Sequence, residues 1–217
     1  MNVDDLYLAD DLIAADVQKM QEPVFESFSK IARLSRQCII TEKIDGTNAQ
    51  VFIGDDGSIR AGSRNRWITT SDDNYGFARW VELHADELKQ LGPGRHFGEW
   101  WGAGIQRRYG MEEGEKFFSL FDILRWKPKP LDGSGNAWGR AGDRKGNFLP
   151  ECCQVVPELY FGPFTTDGIL GALSDLRCNG SVAAPGFMQP EGIVIYHCAA
   201  RMLFKKTLDN DDQAKTQ

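Results

Sequence analysis

Lys43 is the residue of this sequence with the clearest chemical use. It stands in Thr41-Glu42-Lys43-Ile44-Asp45-Gly46-Thr47-Asn48, after an apolar run and just before an Asp-Gly turn. A lysine so placed can face a pocket, and its amine is a nucleophile once it has lost its proton. The ordinary lysine pKa of about 10.4 must be lowered for this, by burial or by nearby positive charge. Taken alone, Lys-x-Asp-Gly also describes a surface lysine ahead of a turn. Further groups follow in order: Ser63-Arg64-Asn65-Arg66, Phe97-Gly98-Glu99-Trp100, Lys116-Phe117-Phe118-Ser119-Leu120-Phe121-Asp122-Ile123, Glu191-Gly192-Ile193-Val194 and Lys205-Lys206. Lysines and arginines neutralise a triphosphate. Glutamates hold a hydrated Mg²⁺ or a ribose, and an aromatic ring stacks on a purine, so the set suits nucleotidyl transfer. Each group also has a plainer use: Phe117 and Phe121 as core, Glu99 as a strand-edge charge, Lys205 and Lys206 as a solvated strand end.

These residues need strands to hold them. CIITEKI (38–44) reads as a strand. Residues 48–65 read as a hairpin, two alternating runs joined by Asp55-Asp56-Gly57-Ser58. Residues 96–102 and 116–124 read as strands, and 191–197 with 201–206 as a final strand pair. Helical spacing marks residues 6–20 and 24–36. It also marks 73–91, where Phe77, Trp80, Val81, His84, Leu88 and Leu91 form a stripe and His84 reads as packed. Residues 166–177 suggest a short helix closed by Asn179-Gly180, and residues 127–140, punctuated by proline and glycine, a loop. Many short strands with few helices imply an α+β fold with antiparallel sheets and flanking helices. No linker interrupts the pattern, so residues 1–217 are expected to form one domain.

Composition sets limits. The chain has 217 residues, 41% hydrophobic and 26% charged, as globular domains do. No apolar run approaches the roughly 18 residues of a membrane span, and the acidic N-terminus lacks a signal peptide's basic start. A soluble, cytoplasmic protein with no membrane association is expected. The five cysteines show no CxxC spacing, so reduced and mostly buried thiols are expected. A net charge of −6 argues against a generic nucleic-acid coat. The charge is uneven: residues 1–30 carry seven acids and two lysines, whereas 95–145 carry ten basic and seven acidic residues. A local basic face therefore remains open, with Arg64, Arg107 and Arg108 as candidates.

In this order the groups resemble the motifs of the covalent nucleotidyltransferase superfamily, the ATP-dependent RNA and DNA ligases and mRNA capping enzymes. KIDGTN is similar to motif I, SRNR to motif Ia, FGEW to motif III, FFSLFDI to motif IIIa, EGIV to motif IV and LFKK to motif V, over residues 41–206. The TEKIDGTN form most resembles the RNA ligase branch that seals nicks in duplex RNA. The resemblance implies an ATP-grasp-like nucleotidyltransferase domain of ligases. It implies ATP with Mg²⁺ (or Mn²⁺) as cofactors and RNA ends or a nicked duplex as partner. Lys43 would form a lysyl-AMP, pass the AMP to a 5′-phosphate end and so prepare it for a 3′-hydroxyl. Glu42 would help read adenine, Asn48 would serve as in the RNA ligase branch, and Asp45 and Gly46 would complete the nucleotide turn. Arg64 would lie near the ribose and the nick, Glu99 at the ribose, and Phe118 on the adenine. Glu191, with Glu99, would be tied to the metal.

Two departures follow. Motif V ordinarily separates its lysines by one residue, whereas Lys205 and Lys206 are adjacent, and on a regular strand they point to opposite faces unless a bulge intervenes. Eleven residues after Lys206 cannot form a C-terminal OB-fold or helical domain, so a catalytic domain alone is expected, aided by an accessory protein or an oligomer. Competing readings are a DNA-nick ligase of the same fold, a capping-type guanylyltransferase, and an inactive nucleotide- or RNA-binding module. The missing OB-fold weighs against the second, and an intact Lys43 with Glu99 and Glu191 against the third.

Overall fold

A computed structural model describes residues 24–126, 142–143 and 145–211. The chain divides into two compact units, Met1–Ile31 and Ala32–Gln217. Of the first, residues 24–31 are described, and they hold neither helix nor strand. The expected helix over 24–36 is therefore absent. Its apolar stripe explains why: Val24, Phe25, Phe28, Ile31 and Leu34 are 69 to 90% exposed, and short helices draw their stability from burying such a stripe. The expected helix over 6–20 and loop over 127–140 lie outside the described residues.

The second unit is built on two sheets. One has four strands in the order β10-β9-β1-β8, and the other six in the order β4-β3-β2-β5-β6-β7. The strands are β1 (Gln37–Lys43), β2 (Thr47–Ile53), β3 (Ile59–Gly62), β4 (Trp67–Ile68), β5 (Gly94–Gly102), β6 (Lys116–Leu120), β7 (Cys153–Val155), β8 (Glu158–Pro163), β9 (Gly192–His197) and β10 (Met202–Thr207). All pairings are antiparallel except β6 with β7. The chain crosses from one sheet to the other through residues 44–46, directly after Lys43. The β2–β3 hairpin closes where expected: Gly57 takes a positive φ of 78° and Asp56 accepts from the Ser58 amide at 2.9 Å.

Helices cover the outer face of each sheet. The stripe over 73–91 becomes α1 (Phe77–Leu83), α2 (Ala85–Leu88) and a 3₁₀ turn (Lys89–Leu91). The interruption falls at His84, whose ring lies 2.9 Å from the Trp80 carbonyl oxygen and 4.8 Å from the Trp80 ring. Phe77, Val81, Leu88 and Leu91 from these turns pack on Val51, Ile53, Trp100, Phe118 and Leu120. On the other sheet α3 (Thr166–Asn179), capped by Thr165 and ended by Gly180, lays Ala172, Leu173 and Leu176 over Cys38, Ile40, Ile193 and Ile195. A third cluster lies between the sheets: Ile39, Ile44, Trp101, Tyr109, Ile123, Val156 and Ala184. The inner faces of the two sheets thus meet at the end of β1, where the lysine stands.

β6 stops at Leu120 rather than running to 124, and β4, β7 and β8 have no counterpart in the sequence reading. Among the described residues all five cysteines are free; Cys38 and Cys153 are buried and Cys178 is exposed. No described helix is long and apolar enough to cross a membrane.

Candidate active site

Strand register decides which side chains share the lysine's side. On β1, Lys43 lies on the inner face with Thr41 and Ile39, whereas Glu42 points with Cys38 and Ile40 toward α3. Lys43 pairs with Gly192, and Gly192 with Thr207. Gly192 has φ 154°, and a Cβ there would stand 2.2 Å from the Lys206 carbonyl oxygen, so β10 can pass this closely only over glycine. The strand start so formed brings Glu191 to the lysine: Lys43 Nζ donates to Glu191 Oε2 at 2.5 Å. The Glu191 side chain is 3% exposed and that of Lys43 21%.

Glu99 arrives from the other sheet. Its carboxylate accepts from the Gly46 amide at 3.0 Å and faces the Asn48 side-chain amide at 3.5 Å, across the β2–β5 pair Asn48–Glu99. Gly46 is pressed onto β5, where a Cβ would lie 2.4 Å from the Trp100 carbonyl oxygen. Burial pushes the Glu99 carboxyl up to about 7, against the opposing pull of the Gly46 hydrogen bond and the Lys43 charge. Between its ordinary value and about 7, the folded protein keeps a proton that the unfolded chain has lost. This group's contribution to stability therefore falls as pH rises through that window and levels off above it. Denaturant melts of the nucleotide-free protein across pH 5 to 8 are expected to show Glu99→Gln gaining on the parent as pH rises. Parallel profiles would contradict the burial argument.

Asp45 is held from the loop after β5. Arg107 Nε donates to Asp45 Oδ2 at 3.1 Å, Arg107 Nη1 to the Gln189 carbonyl at 2.9 Å, and the Asp45 amide to the Tyr109 hydroxyl at 2.7 Å. Burial drives the Tyr109 phenol well above its usual range. Arg107 is thus a strut between the turn after Lys43 and the approach to Glu191, not the free strand contact its sequence position suggests. Arg108 stays exposed. Neither Arg107 nor Tyr109 in this role was readable from sequence, because the partners lie 62 and 64 residues away.

Three of the expected site residues, Lys206, Glu42 and Phe118, stand differently from the sequence expectation, and the adjacent lysines separate to opposite faces as a regular strand requires. β10 runs in register with β9 and no bulge, so Lys205, opposite Val194, shares the inner face with Lys43. Lys206, opposite Ile193, points to the other face and pairs with Asp211 at 2.7 Å. Glu42 is 1% exposed and its oxygens accept from Ser181 Oγ (2.6 Å), Val182 N (2.8 Å) and Ala183 N (2.9 Å); it anchors the 181–184 loop. Phe118 is fully buried beneath Phe77 and Trp80, on the helix side of β6, where no base can reach it. The ring on the inner face is Phe117, half-buried, opposite Trp101 and 5.1 Å from it. Phe118→Ala should therefore cost about 3–5 kcal/mol of stability in urea melts, and Phe117→Ala distinctly less. The reverse order would mean the faces are misassigned. Arg64 lies exposed in the β3–β4 loop, and Arg66 beside it pairs with Asp72.

Among the described residues no group of three or more His, Cys, Asp and Glu gathers as a ready-made metal cage. The carboxylates that flank Lys43 suit a different kind of site. Mg²⁺ is commonly held by one or two carboxylates together with substrate phosphates and water, and Glu191 and Glu99 are carboxylates of the kind such a site uses.

The geometry can be set beside known proteins. Residues 36–211 match the RNA ligase family. No curated protein matches the chain. Among solved structures, an RNA ligase of Naegleria gruberi in its apo form is similar with a TM-score of 0.52 at 19% identity, over 85% of this chain and 56% of that one. RNA ligase of the same organism with AMP and Mn gives 0.51 at 20% identity, over 84% and 56%. With ATP and Mn the values are 0.50 and 20%, over 84% and 55%. The chain spans about half the length of these ligases, and at such identities the likeness is one of fold. The family match is of another kind, since it runs from before β1 to beyond β10 and takes in every strand that bears on Lys43: the chain belongs to the RNA ligase family.

Proposed function

We propose that this chain is the adenylylating unit of an ATP-dependent RNA ligase, with Lys43 as the nucleophile. The observation that carries the reading is the Lys43–Glu191 contact of 2.5 Å at the junction of the two sheets. The amine must shed a proton before it attacks, and the Glu191 carboxylate, which accepts a hydrogen bond from it, is placed to take that proton. Nζ then bonds to the α-phosphorus of ATP. The bond to the β-phosphate oxygen breaks, and pyrophosphate leaves with the electron pair. In the second step a 5′-phosphate oxygen of an RNA end takes the AMP and the amine is restored. In the third, a 3′-hydroxyl attacks the adenylylated end, the phosphodiester forms and AMP departs.

The other residues have matching uses. Lys205, exposed on the same inner face, meets the β- and γ-phosphates. Glu99 and Asn48 flank the ribose, Phe117 offers a ring to the adenine, and exposed Arg64 is placed for the RNA end. Glu191 and Glu99 would hold a divalent cation, which when bound offsets charge developing on the phosphates. The Naegleria gruberi ligases of similar fold include forms with ATP or AMP and Mn, which supports the same pair here.

The test is intact-mass measurement of the purified chain with ATP and Mg²⁺, side by side with GTP, followed by peptide mapping. The expected result is one added AMP, located on Lys43. No adduct, an adduct elsewhere, or equal labelling by GTP would overturn the proposal.

A further inference from the structure

The inner face of the six-stranded sheet continues well past the lysine. Outward from the Asn48–Glu99 pair, the residues on the same side are Gln50 and Phe52 of β2, Phe97 and Arg95 of β5, Arg60 of β3 and Trp67 of β4. The opposite side of these strands is core: Ala49, Val51, Ile53, Ala61 and Ile68. On the inner side two large rings lie open, Trp67 at 41% exposure and Phe97 at 52%. They are not loose. The Arg95 guanidinium sits 5.1 Å from the Trp67 ring centre and 5.3 Å from that of Phe52, and those two rings are 6.0 Å apart. Arg95 also donates to Gln50 Oε1 at 3.0 Å. Arg95, Phe52 and Trp67 thus brace one another before anything binds.

Charge points to the occupant. Apart from Glu99 at the lysine's own site, β2, β3, β4 and β5 contain no Asp or Glu, while Arg60 and Arg95 are exposed on the face and Arg64 just beyond it. Open rings with arginines and no acids suit a polyanion with unpaired bases: bases stack on the rings and phosphates meet the guanidinium groups. A duplex would use the arginines but not the rings, because its bases are stacked on one another. The face is also continuous with the lysine's site. Phe52 lies four residue steps along β2 from Asn48, about 13 Å along a strand, a reach of a few nucleotides.

We propose that this face seats unpaired nucleotides of the RNA strand whose end is joined at Lys43, with bases on Trp67 and Phe97 and phosphates at Arg60 and Arg95. The proposal rests on the reading of the chain as an RNA-joining enzyme and narrows its substrate: an unpaired end is favoured over a nick in continuous duplex.

The test is direct binding without ATP. A short fluorescein-labelled RNA of mixed sequence is titrated with the full chain, unpaired and annealed to its complement. The parent should bind the unpaired strand more tightly. Trp67→Ala and Phe97→Ala should each weaken that binding about tenfold, within the range for losing one base–aromatic stack. Trp67→Phe should keep most of it, and Arg95→Gln should flatten the dependence of log K on log salt by about 0.7. Circular dichroism checks folding, and should Trp67→Ala fail to fold, Trp67→Phe and Phe97→Ala carry the comparison. Tighter binding of the duplex by the parent, no binding of the unpaired strand, or Phe97→Ala within twofold of the parent would overturn the proposal. AMP uptake by the same parent preparation separates the two readings: uptake without RNA binding removes this face alone, and RNA binding without uptake removes the nucleotide chemistry alone.

Discussion

Lys43→Ala is expected to take up no AMP at all, and Lys43→Arg to be equally inert. The two variants exclude different alternatives. Alanine removes the amine but also takes an ammonium from Glu191, whose side chain is only 3% exposed, and removing one partner of a buried pair is destabilising in itself. Loss of labelling in Lys43→Ala is therefore open to the objection that the site has collapsed. Arginine answers it. A guanidinium retains the charge for Glu191 but stays protonated at neutral pH and offers no free electron pair to a phosphorus atom. An Arg variant that melts near the parent and takes no label assigns the loss to nucleophilicity. Labelling of either variant at a tenth of the parent's rate or more would place the nucleophile elsewhere. Lys205, exposed on the same face, would then be the next to map.

Much of the frame was legible because it rests on local chemistry. The β2–β3 hairpin has alternating strands around an Asp-Asp-Gly-Ser turn, and α3 has a Thr cap and a Gly stop. What sequence withheld was register and parity. Phe117 and Phe118 are neighbours of the same type, and only the pairing of β6 with β5 says which of them lies opposite Trp101 and which opposite Trp100. Lys205 and Lys206 are likewise sorted by the partners Val194 and Ile193 on β9. β7 has three residues, too few for a period to emerge, and β8 is irregular, with a register shift against β1 and a Gly162-Pro163 end. The stripe over 24–36 erred the other way: the spacing is helical, but helix formation depends on burial that the pattern itself cannot guarantee.

The candidate site divides along the same line. Lys43, Glu99 and Glu191 stood out as residues, since each combines an ionisable side chain with an apolar strand context. Their distances from one another belong to the two-sheet arrangement, not to any spacing along the chain. The contacts of Arg107, Tyr109 and Ser181 were unreadable for the same reason. Each acts through a single contact with the segment around Lys43 from a loop that has no pattern of its own. Three positive-φ residues, Gln106, Arg108 and Tyr109, mark the first of those loops as one whose backbone is held by its surroundings.

Glu191→Gln is the second large effect expected. The amide has the volume of the carboxylate and keeps an oxygen to accept from Lys43 Nζ, so the 2.5 Å contact relaxes without being abolished. It cannot hold the amine's proton, and it is a far poorer ligand for a hard cation. Loss of a positioned proton acceptor alone lowers rates by about 10²–10⁴, so AMP uptake should fall by at least a hundredfold. The backbone should be undisturbed, because the Leu208 amide bonds to the main-chain oxygen of Glu191, which the substitution leaves in place. The same variant distinguishes the two duties of the side chain. Where the cation is part of the deficit, it deepens at limiting Mg²⁺ and shrinks as Mg²⁺ is raised; where only the proton matters, the ratio to the parent stays constant across the titration. The junction favours the first outcome, since Glu99 is already engaged by the Gly46 amide and faces Asn48, whereas Glu191 stands directly against Lys43 Nζ. A variant that labels within threefold of the parent at low Mg²⁺ would reduce Glu191 to an ordinary partner of a strand-end lysine and remove the observation on which the proposed function stands.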